Sequence, residues 1–563
     1  MRASSLAALA AVFVLSIAIG SACAASSTNP GAPAPLDSGV AETTPPPLDT
    51  GGADAIVFDI AADAPLDTAP PPDPKTCEEA TLSKTYIGCD FWPTVVANTV
   101  WNIFDFAAIV ANAGDTEARI TVTGPGGFTK EAIVGPNRLV KIYLPWVPSL
   151  KGPEGDSCGS SPGITASVRA NKSAYHVVTT RPVAVYQFNA LEYKGEGGAP
   201  GKSWSSCPGN SICTMSDGTI TPPLGCYSFT NDASLLLPST ALTGTYRVTG
   251  QHGAPGAPGY IAITGTQDGT DVTVNLGARA RIVASDDGAI TTTLAGKTAK
   301  FKLDAGDVIE LLGGAFGSSD QSGSLVSATK PVQVISGVPC IEQPAGTLAC
   351  DHIEESVFPA ETLGKHYLVT VPTGPTGNIV GHIVRIYGNV DGTSLTYKPK
   401  APKGAPTTIN AGDVVDLGIV SDDFEITADH ELAVGSFMLG QGKLDPDTFL
   451  GDPSESMVSA VEQFRVKYVF LAPDDYSVSY VDIVAPKGAT MQLDGAEVTD
   501  PPNDIGTTGF TIYRVKLGPG ELGAHLLTST MPIGIQVMGY GEFTSYQYPG
   551  GLNLQRIAPV PVK

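Results

Sequence analysis

Lys365-His366-Tyr367-Leu368-Val369 and, 101 positions on, Val466-Lys467-Tyr468-Val469-Phe470 decide the fold. Each begins a short alternating run, and each is followed 62 positions after its Tyr by a tetrad, Asp429-His430-Glu431-Leu432 or Thr530-Met531-Pro532-Ile533. Two earlier copies exist: Lys84-Thr85-Tyr86-Ile87 with Thr180-Arg181-Pro182-Val183, and Gly244-Thr245-Tyr246-Arg247-Val248 with Thr329-Lys330-Pro331-Val332. Between Tyr and tetrad lie a predicted hairpin turn (Ala113 to Thr116, Gln267 to Thr270, Val390 to Thr393, Lys487 to Thr490) and a Gly turn (Gly135 to Asn137, Ala305 to Asp307, Ala411 to Asp413, Gly518 to Gly520). Asp-Gly between alternating apolar runs favours the positive φ of a tight turn. The tetrads at 329, 429 and 530 stand 100 and 101 positions apart. Four degenerate repeats, about 80–192, 236–342, 357–443 and 458–548, each hold six to eight short strands. That length suits β-sandwiches, whereas propeller blades run to about 40–50 residues. The expected class is all-β, with tandem β-sandwich-like repeats.

Composition agrees. Gly 64 and Pro 46 of 563 residues, with 16% charged residues, describe many short strands and tight turns. A chain of this length exceeds one hydrophobic core, which stops growing at about 250–300 residues. The net charge of −23 argues against a phosphate-backbone partner, so no nucleic acid is expected.

Residues 1–22 read as a signal peptide: Arg2, an apolar run from Leu6 to Ile19, then small residues before Cys23. Nine cysteines leave eight once Cys23 is set aside, so Cys23 is expected to carry a lipid anchor, with a cut after Ala24 as the alternative. The expected location is the bacterial outer membrane or cell surface, or the medium if Cys23 is not lipidated. Residues 23–75 form a Pro/Ala-rich acidic linker, too apolar-poor to offset chain entropy, and the β-rich body spans 76–563. In an exported chain the other cysteines are expected to form disulfides, Cys77 with Cys89 and Cys340 with Cys350. Cys158, Cys207, Cys213 and Cys226 then pair among themselves, in an order that spacing leaves open.

Few residues invite chemistry. Gly155-Asp156-Ser157-Cys158-Gly159 has the Gly-x-Ser-x-Gly spacing, but Ser160-Ser161-Pro162-Gly163 follows where a hydrolase elbow needs a helix, and no His precedes Ser157. The seven histidines lack zinc-ligand spacing. Asp351-His352-Ile353-Glu354-Glu355 reads as a salt-bridged loop, with a metal or proton-transfer site as the sharper reading. Leu444 to Glu455 has the carboxylates of a structural calcium loop, with Phe449 where Asp or Asn belongs. No catalytic residue and no cofactor beyond that calcium is expected.

Tyr86 to Trp92, Ser234-Leu235-Leu236-Leu237-Pro238, Cys350 to Glu355, Gly451-Asp452-Pro453-Ser454, Gln463 to Phe470 and Tyr480 to Pro486 together resemble the IgGFc-binding protein N-terminal domain family. The resemblance implies an extracellular binding or adhesion module facing a glycoprotein or polysaccharide. It does not imply IgG as the ligand, because no short Fc-contact motif carries over. The alternative is a secreted hydrolase or its carbohydrate-binding accessory protein.

Overall fold

Each tetrad proves to be the bend of one long strand. The computed structural model describes residues 72–559 except 215–217, 255, 315–318, 348–349, 445–446 and 521. The leader, Cys23 and nearly all of the linker lie outside the described residues. Three long strands run His176–Phe188, Phe424–Met438 and Ala524–Gly541. A fourth is split into Leu325–Ala328 and Val332–Ile341 at Thr329-Lys330-Pro331. In the last unit, 524–529 pairs with Arg465–Leu471 and Met491–Leu493, while 534–541 pairs with Val478–Pro486 and Thr544–Pro549. The other three units divide in the same way. Each unit is therefore a two-layer antiparallel sandwich whose layers share a bent strand.

Equivalent hydrogen bonds hold the four bends. The first tetrad residue accepts a backbone N–H from the strand beyond the corner: Arg119 to Thr180 Oγ1 (3.0 Å), Asp271 to Thr329 Oγ1 (3.0 Å), Ser394 to Asp429 Oδ1 (2.8 Å) and Thr490 to Thr530 Oγ1 (3.0 Å). Only an acceptor is required, which is why Asp can stand where the others have Thr. The recurrent Tyr donates to the tetrad's last carbonyl: Tyr246 to Val332 (2.6 Å), Tyr367 to Leu432 (2.6 Å) and Tyr468 to Ile533. The same hydroxyl accepts a backbone N–H three residues upstream, from Thr243, Gly364 or Arg465. Tyr86 breaks the pattern: its buried hydroxyl has no partner, and its ring lies 4.9 Å from the Arg465 guanidinium. Replacing Tyr246, Tyr367 or Tyr468 by Phe orphans buried backbone groups and is expected to cost about 1–3 kcal/mol each. Tyr86→Phe is expected to be close to neutral. Urea unfolding of the four variants checks this, and an equal loss at Tyr86 would contradict it.

Two sequence expectations need correction. The Asp-Gly turns are corners, not hairpins: Tyr260–Gly265 and Thr270–Asn275 flank one of them yet lie in different sheets. Each flanking strand pairs with a different half of the long strand, so the turn carries the chain between layers. These corners lean on the Gly turns instead, through Asp268 to Ala305 N–H (3.0 Å) and Asp391 to Ala411 N–H (3.0 Å). The fourth Gly turn also differs from its expected place. Gly518 to Gly520 follows the strand Phe510–Lys516, whereas its counterparts at 135, 305 and 411 precede Arg138–Leu144, Val308–Leu312 and Val414–Val420.

The units close around four short strands: Ala233–Leu236, Asp351–Ser356, Glu455–Met457 and Thr544–Pro549. The first and third each pack against the second and fourth, so together they form a buried axis. Register against the long strands makes Ala233, Glu354, Glu455 and Gln547 equivalent positions. All four backbone N–H groups point at one side chain. Asp232 Oδ1 accepts Ala233 (2.9 Å) and Gln547 (3.3 Å), and Oδ2 accepts Glu354 (3.0 Å) and Glu455 (2.9 Å). Burial pushes this carboxyl upward, and the N–H donors pull it down. Four donors fill every acceptor position of a carboxylate, so the ionised form fits and no lone pair remains for a proton.

Candidate binding face

At the end of each unit away from its bend, three connections emerge together. The register shows why. In the first unit Ala107 lies opposite Phe188 and Phe106 opposite Leu144, while the Tyr strand ends with Phe91 opposite Val177. Loops 92–105, 145–175 and 189–232 therefore share one end, and the other units place theirs alike. The first unit carries the longest loops. Disulfides Cys158–Cys213 and Cys207–Cys226 pin them, and Cys340–Cys350 closes the corresponding loop of the second unit. Cys77–Cys89 instead ties the short helix Cys77–Ser83 to the first strand.

An aromatic row crosses this end. Trp204 meets Phe104 (5.1 Å between ring centroids), Phe104 meets Trp101 (6.4 Å), and Trp101 meets Phe229 (6.3 Å); Phe104 and Trp101 are buried, and Trp204 and Phe229 are half-buried. The row continues from Phe229 to Phe543 (6.2 Å) and on to Phe449 (5.5 Å), which is 49% exposed. Phe229, Phe449 and Phe543 have φ of 56°, 59° and 55°, a region that bulky side chains rarely adopt. Three such residues, with Phe543 touching both of the others, indicate a surface whose shape is held against local preference. Beside it, a cleft of about 400 Å³ opens between loops of the first two units, lined by Ile164, Ala254, Pro258, Pro339, Glu342 and the Cys340–Cys350 bond. Ile212, Ile220 and Leu224 are exposed on the disulfide-pinned loop.

The residues singled out from sequence lie elsewhere or do other work. Ser157 sits in a turn, its Oγ donating to the Ile212 carbonyl (3.3 Å). Asp351 to Glu355 is not a loop but one of the axial strands, wholly buried. Asp351 Oδ2 accepts from Thr544 Oγ1 (2.8 Å) and from Ser545 N–H (3.2 Å). Glu354 Oε1 accepts from Gln187 (3.0 Å) and Ser234 (3.1 Å), and His352 Nε2 lies 3.3 Å from Asn189 Nδ2. Burial raises the carboxyls of Asp351 and Glu355, so these groups join units in the interior. In the 444–455 stretch, Asp452 and Glu455 are buried, and Phe449 faces outward. Among the described residues no group of three His, Cys, Asp or Glu is placed to hold a metal ion. No described helix is long and apolar enough to cross a membrane.

The family model described as IgGFc binding protein matches residues 232–539, from the axial Asp232 into the last long strand, more than half of the chain. The chain belongs to the IgGFc-binding protein family. The human IgGFc-binding protein is 24% identical over 246 residues, 43% of this chain, which spans 4% of that protein's length. Among solved structures, an anti-sigma factor domain-containing protein from Clostridium clariflavum is 14% identical, covering 55% of this chain and 81% of its own, with a TM-score of 0.11. A tetra-tandem repeat from the extending region of a large adhesion protein is 13% identical, covering 82% and 99%, with a TM-score of 0.08. Nothing about the fold follows from either score.

The axial aspartate, the aromatic row and the Lys202–Asp105–Glu192 group carry no signal in the sequence. Asp232 has Ile353, Ser454 and Tyr546 at the equivalent positions, so comparison of repeats hides it. Phe229, Phe449 and Phe543 stand in the most divergent loops, where only backbone conformation singles them out.

Proposed function

We propose that this protein is an extracellular binding protein that holds a glycoprotein or polysaccharide across its loop-bearing end without turning it over. The single observation carrying the reading is the surface end of the aromatic row, where Phe229, Phe543 and the exposed Phe449 stand in left-handed backbone conformation above the buried Phe104 and Trp101. Aromatic rings supply large contact area at little conformational cost, and a rigid frame spares the entropy of ordering on binding. Membership of a family whose human relative is named for IgG Fc supports a glycoprotein among the ligands to try first. Cys23 as a lipid-bearing residue, with the linker as a tether, belongs to the same proposal.

The test is an array of polysaccharides and glycoproteins, purified IgG Fc included, probed with the exported full chain. Phe449→Ala is expected to weaken capture by about tenfold, of the order of one aromatic hot spot. Unchanged capture by Phe449→Ala, or steady release of product from a captured ligand, overturns the reading. Cys23→Ala is expected to release the protein from the membrane fraction, and retention there refutes the anchor.

A further inference from the structure

Beneath the first unit's loops, three side chains from separate segments converge on one glycine. Lys202 Nζ lies 2.5 Å from Asp105 Oδ2 and also donates to the Ile103 carbonyl. The two side chains are 13% and 19% exposed, unlike most of the protein's lysine–carboxylate pairs. Glu192 Oε2 accepts the Asp105 N–H at 3.1 Å. Its other oxygen, Oε1, is buried and has no partner. Gly198, with φ of 84°, caps the group: a Cβ there would stand 2.7 Å from Lys202 Cδ, 3.1 Å from Asp105 Oδ2 and 3.4 Å from Glu192 Oε1. The Trp204 ring covers Nζ at 4.6 Å. A lysine amine, a carboxyl carbon and a second carboxyl thus share a small, largely water-free space.

We propose that Lys202 and Asp105 condense into an intramolecular amide, with the carboxyl of Glu192 as the proton carrier. Burial and the Asp105 carboxylate push Glu192 up to about 8, so it holds a proton at neutral pH. One proton passes within the ion pair, leaving a neutral amine beside a neutral acid. The nitrogen lone pair adds to Asp105 Cγ while Glu192 gives its proton to the carboxyl oxygen. The nitrogen then returns a proton to Glu192, one Cγ–Oδ bond breaks, and water leaves. One C–N bond forms, one C–O bond is lost, and Glu192 ends as it began. No oxidant or co-reactant is consumed. Preorganised geometry supplies effective molarities of about 10⁵–10⁸ M, which is how an ordinarily unreactive acid and amine can couple. The product would fasten the 189–232 loop to the strand that starts at Phe106, covalently and independently of redox state.

The experiment is a tryptic map of the reduced, alkylated full chain. The amide blocks cleavage after Lys202 and joins peptide 85–119 to peptide 195–247, at a mass one water below their sum. Lys202→Arg and Asp105→Ala are expected to abolish that species. Glu192→Gln, which keeps size and hydrogen bonding, is expected to leave the peptides separate in protein that folds normally by circular dichroism. Separate 85–119, 195–202 and 203–247 peptides from the wild-type chain overturn the proposal without any variant. A water loss that survives Lys202→Arg overturns it too, since it marks cyclisation at the aspartate alone. A cross-link that persists in Glu192→Gln refutes the proton carrier.

Discussion

Asp232→Ala is expected to unfold the body or bring it to the edge of unfolding. The substitution strips the acceptor from four buried backbone N–H groups at once. Each orphaned donor costs about 1–3 kcal/mol, so the loss is at least about 4 kcal/mol against a typical total of about 5–15 kcal/mol. Asp232→Asn keeps one accepting oxygen but turns an NH₂ group toward the remaining donors, and an intermediate loss is expected. Urea unfolding followed by tryptophan fluorescence and circular dichroism measures both. A midpoint for Asp232→Ala indistinguishable from wild type would show that the axial amides do not depend on this carboxylate.

That prediction bears on what the sequence could reveal. The tetrad register was legible because it marks a hydrogen bond made at all four bends, which only acceptors such as Thr or Asp satisfy, and the Tyr register because its hydroxyl ties three of the four. Alternation was equally plain in Thr270–Asn275, where buried and outward residues take turns. The axial strands carried no such sign. Asp351–Ser356 is buried on every residue, so its polar side chains imitate an exposed loop. Ala233–Leu236 and Glu455–Met457 are too short for any period to show. Corners and hairpins share the same Asp-Gly chemistry, and what separates them is which half of a distant strand each neighbour pairs with. At the loop-bearing end the difficulty is different. Lys202, Asp105 and Glu192 come from three stretches with no mutual spacing, and only the fold brings them to Gly198.

A closed set of units also needs joints between neighbours, and Arg385 makes one of them through a buried ion pair. It lies 1% exposed in His382–Gly388, with Nη2 2.5 Å from Asp320 Oδ2 and Nη1 2.5 Å from the Gly250 carbonyl. Both partners belong to the preceding unit. Arg385→Ala is expected to cost about 3–5 kcal/mol, the usual result of leaving one member of a buried ion pair alone. Arg279, 3.0 Å from the same Asp320 oxygen but 55% exposed, sets the loss toward the lower end. Arg385→Lys keeps the charge but not the fork that reaches Asp320 and Gly250 together, so it is expected to fall between wild type and alanine. The informative comparison is Arg385→Met combined with Asp320→Ala. Removing both charges removes the stranded carboxylate, and the double variant is expected to be more stable than Arg385→Ala alone in urea unfolding. If the double variant is the less stable of the two, then the Arg385–Asp320 pair itself, and not the cost of leaving Asp320 with Arg279 alone, carries the joint between these units.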